Sequence, residues 1–281
     1  MQNLVPLPFV MAVVVLLHWF WNEIDIPIPS LMQFGICSLS VVPVRLSPEE
    51  GGQMTTQLLY GDFFKILEKR KTRSKIRIDY DAMEGWVLNN QYHLCSKEEF
   101  EGLTNQKKHK HSFDLVSHIC KNQNNLMPIV LGSGLETLKI LGHAFEGNFK
   151  NGKSSRQDLV HTALLYLNAP FLEGGKTPFG IDSAGLTQMV YKINGLALKR
   201  TAFLQAGQGE ALSFIEESEP GDLAFFDDKE GVINHVGIIL KDNYIIHAHG
   251  KVRIDRIDHT GIFNSEEKIY SHKLRVIKKI I

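Results

Sequence analysis

The residues best suited to chemistry are a serine at the start of an apolar helical pattern and a group of histidines further along the chain. The loop over residues 180–185 opens a helix, which places Ser183 near the helix N-terminus. Unpaired backbone N–H groups and the helix dipole favour negative charge there. A thiol in that position would be acidified into a nucleophile, whereas a serine is also a preferred N-cap. Spacing alone leaves both interpretations open.

The histidines belong to a predicted hairpin whose turn is Asp242-Asn243. If the loop is Lys241 to Asn243, His235 and His247 share one face and lie diagonally across the two strands. The second histidine can orient the first and fix its tautomer, as an acid does in a triad. The alternatives are histidines without a catalytic role or a three-histidine metal site that includes His249. Because no carboxylate or cysteine completes a familiar zinc spacing, we expect no metal and no cofactor.

Periodicity outlines the elements that must position these residues. Apolar residues at helical spacing predict one helix over residues 158–168 and a second from Ser183 to Gly195. Five strands follow, at 222–226, 235–240, 244–248, 251–257 and 272–277. Two helices followed by an antiparallel meander predict an α+β fold for residues 151–281.

The N-terminal half has a different pattern. Between residues 33 and 96, short apolar or alternating segments separated by turns predict a small all-β barrel. Residues 97–150 are less regular and are expected to be a linker region, with a short helix beginning at Asp114. The basic run at residues 107–111 is interpreted as a solvated loop.

Residues 1–31 form an apolar extension that we expect to lie outside the folded unit. Residues 4–21 are long enough to suggest a membrane span, but Pro6 and Pro8 interrupt them and no Lys or Arg precedes Arg45. No secretory signal pattern is present. These features predict a cytoplasmic protein. The alternative is a membrane-anchored or periplasmic protein held through this stretch, with membrane contact only if the extension belongs to the folded protein.

Composition excludes several functional classes. The 31 basic and 31 acidic side chains balance, so no global field attracts nucleic acid. The three cysteines, Cys37, Cys95 and Cys120, are widely spread and form no C-x-x-C pair. A disulfide framework and a cysteine zinc site are therefore not expected.

The motifs resemble those of the NlpC-type bacterial cell-wall cysteine peptidases, which have a papain-like fold. Residues 174–185 resemble the family's nucleophile loop, in which a cysteine follows the aspartate. Residues 220–226 resemble the strand before the base, 234–238 the strand of the base, and 246–248 the third catalytic position. Residues 33–96 resemble the bacterial SH3-like domain that precedes such peptidases. The combination resembles murein-peptide peptidases of the dipeptidyl-peptidase VI type.

The resemblance implies a reaction class and a set of roles. Family members cut murein peptides next to γ-D-glutamyl residues with a thiolate nucleophile and two histidines. By position, Ser183 would be the nucleophile, His235 the base and His247 the residue that orients it. Asp182 would belong to the site for the free amine of an N-terminal L-Ala. The other residues expected to contact a murein-derived peptide are Ala184, Met83, Glu84 and Trp86.

The sequence departs from the family pattern at the nucleophile. A serine hydroxyl is a weak nucleophile without a well-placed base, and no carboxylate is expected behind the histidine pair. We therefore expect a pseudo-enzyme that retains peptide binding. Further departures near the expected cleft favour natural drift over a single engineered substitution; they are Phe171, Glu173, Ala184, Thr201 and Met83. The alternatives are an active hydrolase that uses Ser183 and His235, or a murein-binding scaffold led by the SH3-like domain.

Overall fold

The computed structural model describes residues 32–106, 108–122 and 125–280, and every element below lies in these ranges. The apolar extension at residues 1–31 lies outside them, so the expectation about it stays a prediction. None of the helices in the described ranges combines the length and the apolar character needed to cross a bilayer.

The first part of the fold is an all-β region, as the sequence predicts. Its seven strands are ordered β3-β2-β6-β5-β4-β1-β7. Alternation drives the packing: in β5, Ile76 and Ile78 are buried whereas Arg77 between them is exposed. The strands are β1 (Gln33–Ile36), β2 (Val41–Arg45), β3 (Met54–Leu59), β4 (Phe63–Lys69), β5 (Arg73–Ile78), β6 (Glu84–Leu88) and β7 (His93–Cys95).

Short elements connect this region to the rest of the chain. The expected helix at Asp114 is wrong, because residues 116–122 form a strand that pairs Ile119 with Met127. Asp114 instead accepts a hydrogen bond from the backbone N–H of Asn148 at 2.9 Å, which closes a loop. The elements are α1 (Lys97–Thr104), β8 (Lys110–Ser112), β9 (Val116–Asn122), β10 (Asn125–Val130), α2 (Leu138–Leu141), β11 (Ala144–Glu146) and β12 (Phe149–Asn151).

The last part is α+β, as predicted. It begins with helix α3 (Arg156–Leu164), the two-stranded pair β13 (Lys176–Thr177) and β14 (Gly180–Ile181), and helices α4 (Ser183–Ile193) and α5 (Ala202–Ala206). A second seven-stranded sheet follows, ordered β15-β21-β16-β17-β18-β19-β20. Its strands are β15 (Glu210–Leu212), β16 (Leu223–Asp227), β17 (Ile233–Ile239), β18 (Tyr244–His249), β19 (Lys251–Ile257), β20 (Gly261–Asn264) and β21 (Ile269–Lys279), with a 3₁₀ turn at Ile215–Glu217.

Helix α4 is the centre of the larger core. All of its residues are buried, and it packs against β17 and β18. Its apolar residues Leu186, Met189 and Val190 join Val236 and Ile246 of those strands in one hydrophobic cluster. The start of the helix is therefore held at a fixed position over the two histidine-bearing strands.

Buried polar contacts fix the all-β region against the α+β region. Lys192 Nζ lies 2.6 Å from Asp62 Oδ1, and Lys176 Nζ lies 3.7 Å from Asp62 Oδ2. Gln188 donates a hydrogen bond to Asp81 at 3.0 Å. Burial alone would raise the pKa of Asp62, but the two lysines hold it below its ordinary value. The interface therefore contains buried charged groups that are paired with one another.

Candidate active site

Asp182, rather than Ser183, caps helix α4. Its Oδ1 accepts a hydrogen bond from the backbone N–H of Gly185 at 2.6 Å, which makes it the N-cap residue. Ser183 is the first residue of the helix and is 5% exposed. Within the described part of the chain, no residue forms a hydrogen bond with the Ser183 hydroxyl. The capping interpretation of Ser183 therefore does not hold.

Both carboxylate oxygens of Asp182 form hydrogen bonds that hold the loop. Its Oδ2 accepts from Gly174 N–H at 2.8 Å and from Arg200 Nη2 at 2.6 Å, and its Oδ1 also accepts from Arg200 Nη1 at 2.9 Å. Arg200 in turn donates from Nε to Thr56 Oγ1 of strand β3 at 2.8 Å. The structure brings Asp182 to the expected cleft, but both of its oxygens already have partners.

Gly185 lets the loop close on the helix. A Cβ at Gly185 would lie 2.3 Å from the backbone oxygen of Gly175, closer than any real contact. Only a residue without a side chain fits this crossing, which explains the glycine after Ala184.

The histidine hairpin has the register that the turn predicts. The backbone N–H of Leu240 donates to the carbonyl oxygen of Tyr244 at 2.8 Å, so the loop comprises residues 241–243, and Asp242 and Asn243 in it both have φ of 58°. His247 pairs with Gly237, so His235 lies diagonally opposite. The two rings meet with His235 Nε2 at 2.9 Å from His247 Nδ1. Both are buried.

A carboxylate stands behind the histidine pair, contrary to the expectation from the sequence. Asp255 Oδ2 lies 2.9 Å from His247 Nε2. Arg253 donates to both oxygens of Asp255, from Nε at 2.6 Å and from Nη2 at 2.9 Å. Burial acts to raise the pKa of Asp255, but these hydrogen bonds hold it at about 2. The aspartate is therefore ionised.

This chain of contacts fixes the tautomers. Because Asp255 is an ionised acceptor, His247 carries its proton on Nε2 and offers the Nδ1 lone pair. The proton between the two rings then belongs to His235 Nε2, which leaves the lone pair of His235 on Nδ1. Burial lowers the pKa of His235 well below its ordinary value, and burial also lowers the pKa of His247 against the opposing effect of Asp255. Both rings are neutral, the form in which His235 can accept a proton.

A third histidine completes the cluster. The ring of His272, from strand β21, stacks on that of His235 with centroids 3.9 Å apart. Burial and the neighbouring histidines lower the pKa of His272 to about 3. Sequence reasoning missed both His272 and Asp255, and included His249, whose ring lies 6.5 Å from that of His247.

Ser183, His235 and His272 face an open cavity of about 1000 Å³. Ser183 and His235 both line it, although no hydrogen bond joins them in the described ranges. Thr55 of the all-β region lines it as well. The other residues singled out from the sequence that line this cavity are Asp182, Ala184, Phe171, Glu173, Arg200, Thr201 and His249.

Three predicted peptide-binding residues lie elsewhere. Glu84 pairs with Lys75 at 2.9 Å and with Arg77 at 2.6 Å. The ring of Trp86 carries the guanidinium of a neighbouring arginine 4.4 Å from its centre, and Met83 packs against the core of the all-β region. None of the three lines the cavity around Ser183, so the structure does not bring them to the site.

Comparison with known proteins identifies both regions. A model described as the NlpC/P60 family matches residues 168–269, and one described as the bacterial dipeptidyl-peptidase Sh3 domain matches residues 44–91. A gamma-D-glutamyl-L-lysine dipeptidyl-peptidase of Bacillus cereus is 33% identical over an alignment of 232 residues that covers 70% of this chain and 67% of that protein. Dipeptidyl-peptidase 6 of Lysinibacillus sphaericus is 33% identical over 123 residues, so the match spans 43% of this chain and only 41% of that protein.

A solved structure shows the same fold along nearly the whole described chain. The crystal structure of an NlpC/P60 family protein from Bacillus cereus superposes with a TM-score of 0.72 and 17% identity, covering 88% of this chain and 99% of that one. The chain therefore belongs to the NlpC/P60 family and carries, before its NlpC/P60 domain, a bacterial SH3 domain of the dipeptidyl-peptidase type.

Proposed function

We propose that this protein binds murein-derived peptides in the cavity around Ser183 and hydrolyses them only at a strongly reduced rate. The observation that carries the proposal is the isolation of the Ser183 hydroxyl. Relatives named as dipeptidyl-peptidases for γ-D-glutamyl-L-lysine support a murein peptide as the ligand.

The chemistry of serine explains the reduced rate. A serine hydroxyl is barely ionised at neutral pH and attacks an amide only with a base within hydrogen-bond reach. Ser183 and His235 line the same cavity, but no hydrogen bond connects them in the described part of the chain. A thiol at the same helix N-terminus would be ionised by the helix and by a nearby histidine without so close an approach. The rate of hydrolysis should therefore be several orders of magnitude lower than with a cysteine at this position.

Asp255 favours a second candidate, a working hydrolase that uses Ser183. An ionised carboxylate behind two histidines supplies the group that stabilises an imidazolium in serine hydrolases. In this candidate a bound peptide draws Ser183 and His235 together, and His235 Nδ1 takes the hydroxyl proton.

One substrate separates the two candidates. The full chain, Ser183→Ala and Ser183→Cys are incubated with L-Ala-γ-D-Glu-diaminopimelate, with binding followed by calorimetry and products by mass spectrometry. We expect similar affinities for all three proteins, cleavage by the native chain close to that of Ser183→Ala, and much faster cleavage by Ser183→Cys.

Other outcomes reject one or both candidates. Rapid cleavage by the native chain that disappears in Ser183→Ala would establish the working hydrolase and reject the pseudo-enzyme. Absence of binding by all three folded proteins would reject both, since each needs the peptide in the cavity.

A further inference from the structure

We propose that His235, His247 and His272 form a binding site for a divalent transition metal, with Zn²⁺ as the expected ion. One candidate ligand nitrogen from each ring lies within 4.8 Å of the other two. Neutral imidazoles are preferred ligands of this class of ion. The inference concerns metal binding and does not rest on the peptide function proposed above.

The rings must move to admit the ion, and the movement differs between them. Zinc–nitrogen bonds of about 2.0–2.1 Å in tetrahedral geometry separate neighbouring ligand nitrogens by roughly 3.3 Å. His235 Nε2 and His247 Nδ1 are 2.9 Å apart, so they must separate by a few tenths of an ångström. The ring of His272, stacked on that of His235, must tilt towards them.

Groups behind the ligands already hold two of the rings. Asp255 Oδ2 accepts from the other nitrogen of His247 at 2.9 Å, the carboxylate–histidine arrangement that orients metal ligands in proteins. Arg253 fixes that carboxylate with two hydrogen bonds. Ser271 Oγ lies 2.8 Å from His272 Nδ1 and restrains the third ring.

The site is accessible and leaves one coordination position free. His235 and His272 line the cavity, which gives the ion an entry path. Three histidine ligands leave a fourth position for water or another ligand, as in catalytic zinc sites.

Metal binding excludes the histidine relay, the hydrogen-bonded series from Asp255 through His247 to His235. The ion takes the lone pairs of His235 Nε2 and His247 Nδ1, the same two atoms that share a proton in the metal-free protein. The proton of His235 must then move from Nε2 to Nδ1, so this ring no longer accepts a proton from Ser183. A zinc-loaded chain therefore cannot use His235 as a general base.

The test measures binding directly on the full chain. Metal-stripped protein is titrated with Zn²⁺ by calorimetry, and with Co²⁺ by visible absorption, which is intense for tetrahedral cobalt. We expect one ion per chain. Asp255→Asn should lower the affinity about 10–100-fold, and His272→Ala should lower it at least as much.

His249→Ala is the matched control, since His249 lines the same cavity but lies outside the three-ring group. We expect it to bind zinc as the native chain does, and circular dichroism shows that each variant is folded. Failure of the folded native chain to bind zinc would overturn the proposal. So would binding that survives His272→Ala but is lost in His249→Ala, or binding that is lost when Cys95 and Cys120 become serine.

Discussion

At the residue scale, Asp255 determines which nitrogen of His235 can act as a base. The ionised carboxylate fixes the proton on His247 Nε2, and this proton in turn fixes the proton on His235 Nε2. The position of the free lone pair of His235, on β17, is therefore set by Asp255 on β19, with His247 of β18 between them.

The substitution Asp255→Asn should move the proton of each histidine ring to its other nitrogen. The asparagine amide can donate to His247 Nε2, so His247 would carry its proton on Nδ1 and His235 would become protonated on Nδ1. Nitrogen NMR of the labelled rings reads the tautomers directly. In the Ser183→Cys background, we expect cleavage to fall about 100-fold or more, since the base is in the wrong tautomer. Unchanged ring-nitrogen shifts would contradict the relay.

Glu173 is a candidate partner for the free amine of a bound peptide. Asp182, the residue expected from the sequence, has both oxygens occupied, whereas Glu173 is exposed in the cavity. Glu173→Gln should weaken binding of a peptide with a free N-terminus by about fivefold, the upper range for an exposed ion pair. An N-acetylated peptide is the control and should bind both proteins equally. Equal weakening for both peptides would contradict the assignment.

The sequence located part of this site. Ser183, His235 and His247 follow from a helix start and one hairpin, which are local patterns. Asp255 was within reach of the same argument, because the β18–β19 pairing places Arg253 opposite His247 and Asp255 two residues further on. The same argument could not place His272, because this residue comes from a strand that joins the sheet out of chain order.

At the element scale, helix α3 depends on a reciprocal cap. Ser155 Oγ accepts from the backbone N–H of Asp158, and the Asp158 carboxylate accepts from the backbone N–H of Ser155. Hydrogen bonds from Ser155 and then from Lys150 lower the pKa of Asp158 from 3.8 to about 2. The negative charge of Asp158 at the start of the helix is therefore more stable in the folded protein than in the unfolded chain.

The sign of the pH dependence follows from that lowered pKa. The contribution of Asp158 to stability is present above pH 3.8 and is lost as the pH falls through about 2. Asp158→Asn should cost about 1 kcal/mol at neutral pH and clearly less near pH 2, where only part of the carboxylate is still ionised. Urea denaturation at both pH values measures the difference. Glu230→Gln, at an exposed turn, is the control and should change little at either pH. A constant cost across pH would contradict the assignment to the charge.

Element types were predicted better than their connections. The strands and helices of the last part follow from periodicity, and the α+β class is confirmed. The short helix predicted from Asp114 was wrong. The apolar residues at 116–119 fit a short helix or a strand equally well, and the pairing with β10 makes them a strand. The cytoplasmic location and the role of residues 1–31 stay predictions.

At the scale of the whole molecule, one buried carboxylate joins the two regions. Asp62 lies between Lys176 and Lys192, and all three side chains are almost completely buried. No local pattern could predict this group, because Asp62 lies more than a hundred residues before the two lysines in the chain.

Asp62→Asn should destabilise the protein by about 3–5 kcal/mol, because two buried ammonium groups lose their counter-charge. Chemical denaturation of the native chain and the variant measures the loss. The double variant Asp62→Asn/Lys192→Met is the matched comparison, and it should recover part of the stability by removing one uncompensated charge. An Asp62→Asn variant as stable as the native chain would contradict this prediction and would show that water reaches the two lysines.

Arg200 ties strand β3 to the loop before helix α4, since it bonds Thr56 with one nitrogen and Asp182 with the other two. A recombinant chimera that joins this NlpC/P60 domain to the SH3 domain of a relative would break that link unless the donor supplied the same hydroxyl at the same place. The two segments are therefore expected to be inherited together, and substitutions on one side to be followed by compensating substitutions on the other.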